Sequence, residues 1–384
     1  MKKHVVILGA GFGGLATAVH LCEHASCERD VRVTIVDEQA LHTYTPLLYE
    51  VASGGLRACI RRNVMSLGAA IRLSYEGMLV DHPFVSFVQA RVTNVDLQKR
   101  YVEFASRKAL SYDVLVCALG ARVNTFGVPG VWENGFPLKS IDDALKIHDR
   151  VCALLEQARN NHRETVRVVV AGAGPTGVET AAEIASAFRA AKKLGAIPCD
   201  ASVVLVDASE RILSMLPASI AQKASRRLRA LGVDVYLGTT VKEVGIESAL
   251  VAPNRALKKR VSPFQKAAAI EADVVVWTGG VAADPNWRAW GMPTNAKGYV
   301  CVDATLRVKG QPRVFAVGDM VEVDGKRRIQ VAAEAVSQGM VAAQNVLRVL
   351  EGEKHLRLHK ERMWPWAIPL GGRSAIAHVA GLTV

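Results

Sequence analysis

The chain has 384 residues, half of them apolar, which is enough for two domains with complete cores. Lys and Arg number 48 against 36 Asp and Glu, a net charge of +12 that attracts polyanions, but no basic block is interleaved with aromatics in the RNA-binding manner, so nucleic acid is set aside as a partner. Seven cysteines with no CxxC and no zinc spacing argue for reduced thiols in a cytoplasmic setting, and no apolar run is long enough to span a bilayer or clean enough to be a signal peptide.

In chain order, residues 4–8 form a short apolar run that reads as a buried strand. A glycine cluster follows, then a helical pattern over 15–21, then a strand over 31–36 with Asp37 at its end. Strand, turn, helix and strand in that order open a doubly wound fold. Residues 85–90 and 102–104 read as strands, and 113–117 as a buried strand that runs out at Gly120. The same arrangement then recurs: a strand at 166–171, a glycine turn at 172–177, a helix at 178–190, and a strand at 203–206 closed by Asp207. Residues 273–277 mirror 113–117 and end in Thr278-Gly279-Gly280. Strands at 298–302 and 314–317 lead to Gly318-Asp319, and a helix over 332–350 stops at Gly352. The tail from Glu353 shows no regular pattern.

Gly9-Ala10-Gly11-Phe12-Gly13-Gly14 fits GxGxxG between a strand and a helix. The first glycine permits the tight turn, the second lets the backbone approach a pyrophosphate, and the third lets the helix close on the sheet. The helix N-terminus then offers free N–H groups to the phosphates. Asp37 stands where a carboxylate would accept from ribose hydroxyls, about twenty residues on. Gly172-Ala173-Gly174-Pro175-Thr176-Gly177 is the second copy. Its acid, Asp207, lies 207 − 177 = 30 residues after the last glycine, so the connection over 188–201 is longer than usual. A carboxylate there would repel a 2′-phosphate and favours NADH, although Arg211 stands close by.

Two dinucleotide folds call for two dinucleotides: FAD held permanently, and a nicotinamide cofactor that passes hydride to it. Asp319, at the end of a strand, is placed to accept from ribityl hydroxyls. The expected fold is α/β, with two Rossmann-like dinucleotide-binding domains, the second inserted into the first. The expected boundaries are 1–120 with 295–350 for FAD, 121–294 for NADH, and a C-terminal segment at 351–384.

The two glycine motifs, Pro46-Leu-Leu-Tyr-Glu-Val-Ala-Ser53, Asn124-Thr-Phe-Gly-Val-Pro-Gly130 and the following Glu133-Asn-Gly-Phe-Pro-Leu-Lys139 resemble those of type II NADH dehydrogenases. The resemblance runs over roughly residues 4–380. It implies hydride transfer from NADH to flavin and reduction of a quinone without proton pumping. It also implies that Gly9, Gly11, Phe12, Gly13, Gly14, Asp37, Gly120 and Asp319 hold FAD, with the stretch from Pro46 against the flavin ring and the Asn124 stretch in the hinge between domains. Gly172, Gly174, Pro175, Thr176, Gly177, Asp207 and Gly280 would hold NADH. Glu179 matches a family glutamate near nicotinamide and flavin, and Gln338 keeps one position of the quinone-side pattern A-Q-x-A-x-Q-Q; these two are the candidate catalytic residues. Elsewhere that pattern is altered, to Ala333 and Ser337. Dimers are common in the family, so a homodimer is expected.

The family also has a C-terminal membrane-docking segment, whereas this sequence ends at Val384. The expectation is therefore a shortened membrane-side region, or attachment to the inner face of the cell membrane through the basic stretch 354–362. That stretch has Leu356, Leu358, Met363, Trp364 and Trp366 in and beside it, and such a composition suits an anionic lipid surface. Two other basic groups, Lys223, Arg226, Arg227 and Arg229 on a helix and Arg255, Lys258, Lys259 and Arg260 in a loop, read as solvated faces. Cys22 and Cys27 have the spacing of a redox pair but sit at the end of the first helix, away from any flavin-side position. A soluble-acceptor, ferredoxin-type reductase is the main alternative; a non-catalytic NADH-sensing flavin binder is another.

Overall fold

The computed structural model describes residues 2–24, 31–54, 56, 61–82, 84–160, 163–197, 199–259, 261–379 and 382–383, without the side chains of 61–65. Cys27 and Arg260 lie outside the described residues. The chain opens with β1 (Lys3–Leu8), buried from His4 onward, as a parallel strand covered on both faces must be. A glycine turn leads into α1 (Phe12–Glu23) and β2 (Val31–Asp37), which lies parallel to β1 with Ile7 opposite Ile35. β3 (Val85–Gln89) extends the sheet beyond β2, and β4 (Val114–Cys117) pairs with the other side of β1.

The second fold begins at α2 (Ile141–Arg159), which starts with a capping box between Ser140 and Asp143. β5 (Thr165–Ala171), α3 (Pro175–Lys193), β6 (Asp200–Val206), α4 (Ala218–Leu231), β7 (Val233–Tyr236) and β8 (Val274–Trp277) follow. They form a parallel sheet ordered β8-β5-β6-β7, with the short strand Phe136–Pro137 beyond β8. The chain then adds β9 (Val314–Ala316) to the first sheet, which runs β9-β4-β1-β2-β3, all parallel. The two sheets repeat one winding order. α5 (Ala332–Leu350) closes the first fold against α1. There Gly339 comes so near that a Cβ would stand 2.4 Å from the Gly13 carbonyl oxygen.

Two compact units result: Met1–Thr43 with Arg72–Arg122 and Val281–Trp364, and Tyr44–Ile71 with Val123–Gly280 and Pro365–Val384. Their borders depart from the sequence expectation in three places, each for a packing reason. Residues 44–71 belong to the second unit, because Leu48, Val51 and Ala52 are buried in the same core as Val178 and Ala181. Residues 281–294 belong to the first, because Trp287 and Met292 are buried in its core. The segment 351–384 is divided at Trp364.

The tail beyond that division is regular after all. Trp366–Pro369, Ala375–Val379 and Leu382–Thr383 form an antiparallel three-stranded sheet. Its first turn depends on Gly371 and Gly372, both at positive φ, and Gly371 approaches the Ala182 carbonyl so closely that only a glycine fits. The long connection read over 188–201 is shortened at both ends: α3 runs on to Lys193 through Ala190 and Ala191, both strong helix formers, and β6 begins at Asp200. Arg227 is not simply solvated, since its guanidinium donates to the carbonyls of Leu370 and Gly371 at 3.0 and 2.9 Å. No helix among the described residues is long and apolar enough to cross a membrane.

Candidate functional site

The glycine turn of the first unit separates what the fold needs from what it leaves open. Gly9 has φ +95°, donates to the Val36 carbonyl at 2.7 Å, and would put a Cβ 2.4 Å from the Ala118 oxygen. A Cβ on Gly14 would lie 1.9 Å from the Gly9 oxygen, and one on Gly13 would press on Val317 at 3.0 Å. Gly11 differs: a Cβ there meets nothing within 4 Å. Gly11 is also the N-cap of α1, and no side chain caps the helix there. The arrangement is a cradle for a pyrophosphate. Asp37 closes its rim, accepting from the N–H groups of Ala10 at 2.7 Å and Gln39 at 2.9 Å. The Phe12 ring stands edge-on to His42 at 5.0 Å. Gly120, at φ +71°, again borders open space.

The second unit repeats this construction. Gly172, at φ +111°, donates to the Val206 carbonyl at 2.8 Å and is closed off by the Thr278 carbonyl, 2.5 Å from its would-be Cβ. Gly177 is closed off by the Gly172 oxygen at 1.8 Å, and Gly174 by nothing within 4 Å. Pro175 starts α3, where a missing N–H costs nothing, and Thr176 follows it exposed. Asp207 accepts from Ala173 and Ser209, both at 2.6 Å. Arg211 donates to the Ser214 carbonyl at 2.7 Å, which ties part of its guanidinium to its own loop. Gly280, at φ +127°, accepts from the Asn124 N–H at 3.0 Å.

Glu179 lies in the first turns of α3, and burial pushes its carboxyl from 4.5 up to about 7. It belongs to an acidic group that sequence reasoning missed. Tyr49, on the short helix Leu48–Ser53, donates to Glu50 at 3.1 Å. Burial first, and then the carboxylates of Glu50, Glu179 and Glu183, drive its hydroxyl pKa upward, so Tyr49 stays a proton donor. Tyr49 and Glu50 stood inside the stretch that begins at Pro46, but nothing in the spacing tied them to Glu179. Pro46 itself is exposed in the single turn Thr45–Leu47.

The structure gives Gln338 a buried place, 1% exposed, with both ends of its amide engaged. Its Oε1 accepts from the Gly318 N–H at 2.7 Å, and its Nε2 donates to Glu334 at 3.0 Å. Gln338 is therefore a strut that fixes the loop carrying Asp319, whose carbonyl also accepts from Gln330 at 2.9 Å. Glu334 takes a second hydrogen bond from Trp364 Nε1 at 2.8 Å and lies 3.5 Å from His359 Nε2. Burial lowers the His359 pKa against the pull of Glu334, and Arg328 and Arg362 lower it further. Two tryptophans expected on a lipid-facing surface are thus engaged elsewhere: Trp364 bonds to Glu334, and Trp366 stacks on His378 with ring centroids 5.7 Å apart. Leu356 packs against the first core, so of the five apolar residues in and beside the basic stretch only Leu358 and Met363 are exposed. Beside this network is a cavity of about 320 Å³, with Ser337, Met340 and Gln344 on one wall and Arg357, His359 and Arg362 on the other.

Comparison with known proteins agrees with this construction. Residues 3–339 match the family described as pyridine nucleotide-disulphide oxidoreductase. The chain is 31% identical to the type II NADH:quinone oxidoreductase NdhA of Mycobacterium tuberculosis, covering 90% of this chain and 72% of that protein. It is 28% identical to the type II NADH:quinone oxidoreductase of Haemophilus influenzae, covering 91% and 81%. Among solved structures, NDH2 of Plasmodium falciparum in complex with NADH superposes with a TM-score of 0.84 at 19% identity, covering 100% of this chain and 91% of that one. The sulfide:quinone oxidoreductase of Aquifex aeolicus gives 0.77 at 17% identity, covering 98% and 83%, and at these identities the likeness speaks for the fold alone.

Proposed function

This chain belongs to the pyridine nucleotide-disulphide oxidoreductases, and among them to the type II NADH:quinone oxidoreductases, and from that premise we propose that it oxidises NADH through a bound FAD and reduces a quinone without pumping protons. The observation that carries the reading is the pair of open glycines. Gly9, Gly14, Gly172 and Gly177 are required by contacts inside the chain, whereas Gly11 and Gly174 face space that nothing in their own turn fills. Backbone of that shape at two helix N-termini fits two dinucleotides.

Gly9, Gly11, Phe12, Gly13 and Gly14 form the FAD turn, Asp37 holds the ribose, and Gly120 and Asp319 border the rest of the cofactor. Gln338 acts as a positioning residue, through Gly318. Gly172, Gly174, Pro175, Thr176 and Gly177 form the NADH turn, with Gly280 beside it, and Asp207 accepts from the adenosine ribose. The flavin, when bound, takes the two electrons of the hydride and gives them up again to the acceptor. The overall change consumes one proton: NADH, H⁺ and quinone give NAD⁺ and quinol. Glu179, titrating at about 7, is half protonated at neutral pH and suits the role of holding that proton.

The exposed apolar side chains Leu358 and Met363, with Lys354, Arg357, Lys360 and Arg362 near them in sequence, suit contact with the anionic inner face of the cell membrane. Flotation with anionic vesicles at low salt tests this contact, and absence of the protein from the lipid fraction overturns it.

Purified protein should show a flavin spectrum and oxidise NADH rapidly once a short-chain quinone is added. Bleaching of the flavin by NADH without quinone turnover would move the acceptor to a soluble protein, as the altered residues Ala333 and Ser337 allow. A colourless protein would overturn the reading.

A further inference from the structure

The last turn of α1 carries three metal-ligating side chains that the proposed reaction does not use. His20, Glu23 and its C-cap His24 are at spacings i, i+3 and i+4, which fall on one face of a helix. One ligand atom from each lies within 4.8 Å of the other two. The imidazole rings are 4.0 Å apart between centroids, and His20 Nδ1 is 3.5 Å from a Glu23 carboxylate oxygen. From these residues we propose a binding site for a borderline divalent transition metal, Zn²⁺ or a neighbour in its series, on His20, Glu23 and His24.

A second observation points the same way. Ligating histidines are normally held by a hydrogen bond at the ring nitrogen that does not face the metal. His24 has that bond in place. His24 Nδ1 is 3.1 Å from the His20 carbonyl, which leaves His24 Nε2 with a free lone pair. His20 Nε2 accepts from the amide nitrogen of Gln344 on α5 at 2.9 Å, so this ring takes up the ligating tautomer only when that amide is reversed. Turned to present its oxygen, that amide accepts the ring proton from Nε2 and frees Nδ1 for the cation.

The electrostatics are mixed but workable. Glu23 and Arg357 both lie close enough to His20 to act on it electrostatically. The charge of Arg357 opposes a cation, while the Glu23 carboxylate and the carbonyl end of the helix dipole favour one. Two imidazoles and one carboxylate select Zn²⁺, Cu²⁺ or Ni²⁺ over Mg²⁺ and Ca²⁺ and leave a fourth position for water. Across the 12 residues of α1 the site stands roughly 18 Å from the glycine turn, so its occupation leaves the cofactor cradle alone. The cation would tie the end of α1 to α5 through His20 and Gln344.

The test is calorimetric titration of the flavin-loaded protein at pH 7.5 with Zn²⁺ and, separately, with Mg²⁺. The expected result is one equivalent of Zn²⁺ bound and no Mg²⁺ binding. Zn²⁺ affinity should fall by on the order of a hundredfold in His24→Ala and about tenfold in Glu23→Gln, with flavin content unchanged in both. Both side chains are exposed, so neither variant disturbs the core. Absence of Zn²⁺ binding by the unaltered protein overturns the site. Unchanged affinity in His24→Ala also overturns it and places the metal on other residues.

Discussion

The two glycine turns use the same backbone and differ in one telling position. Two residues after the last glycine, the first unit has Ala16 and the second has Glu179. Ala16 is a packing residue: its methyl group stands beside Gly339, where α5 closes on α1, and a Cβ on Gly339 would approach it to 3.0 Å. Glu179 is a titrating residue, desolvated and set among Tyr49, Glu50 and Glu183. The two turns thus differ in what their helices carry: one bears a small residue packed where α5 closes on α1, the other a desolvated carboxyl.

The largest expected effects break the shared backbone. Gly14→Ala and Gly177→Ala each place a Cβ within 2 Å of a carbonyl oxygen of the same turn. Each should cost several kcal/mol, about 4 or more, and give little folded protein by circular dichroism. The next effects separate the two turns. Gly11→Ala and Gly174→Ala meet no atom of the chain within 4 Å, so each should fold to within about 1 kcal/mol of the parent by urea denaturation. Gly11→Ala should lose flavin absorbance, whereas Gly174→Ala should stay yellow and raise the KM for NADH. Equal flavin loss in both would erase the proposed division of labour.

The sequence made these turns legible because their signal is local. Glycine spacing, flanking apolar runs and a terminal acid all fall within some forty residues, and the strand and helix assignments followed with small shifts at their ends. α5 was read to its observed limits, Ala332–Leu350, because its apolar spacing and Gly352 bound it on both sides. What stayed hidden depends on contacts between distant residues. Trp364 reaches Glu334 across 30 positions, and Arg227 reaches Leu370 across 143. No periodicity marks such pairs, so a tryptophan in a basic stretch read as lipid-facing when its N–H serves a buried carboxylate. The terminal hairpin was missed for a related reason: strands of five residues or fewer show alternation too briefly to stand out, although Gly371-Gly372 was the turn signal available.

A smaller effect sharpens the comparison at the adenosine end. Asp37 and Asp207 each hold two backbone N–H groups, so either can be neutralised to ask which nucleotide it serves. Asp207→Asn keeps the side chain's shape and removes its charge. Hydrogen bonds to charged groups contribute about 1.5–3 kcal/mol, so the preference for NADH over NADPH should shrink roughly tenfold or more. Unchanged rates with both nucleotides would show that Asp207 does not face the ribose.

The smallest effect concerns Glu179, and its pH dependence gives it a sign. The folded carboxyl titrates at about 7, above its ordinary 4.5, so between those values the folded state binds more protons than the unfolded one. Stability attached to this group is complete below pH 4.5 and is lost as pH rises through 7. Glu179→Gln removes the dependence. The variant should match the parent near pH 5 and exceed it by roughly 2 kcal/mol at pH 8 in urea denaturation. Quinone-dependent turnover should move the other way. The parent should slow as pH passes 7 and the proton on Glu179 is lost, while the variant should be slower at pH 6 and lack that inflection. If the inflection persists in Glu179→Gln, the proton comes from another group. The contrast with Ala16 would then be one of burial alone.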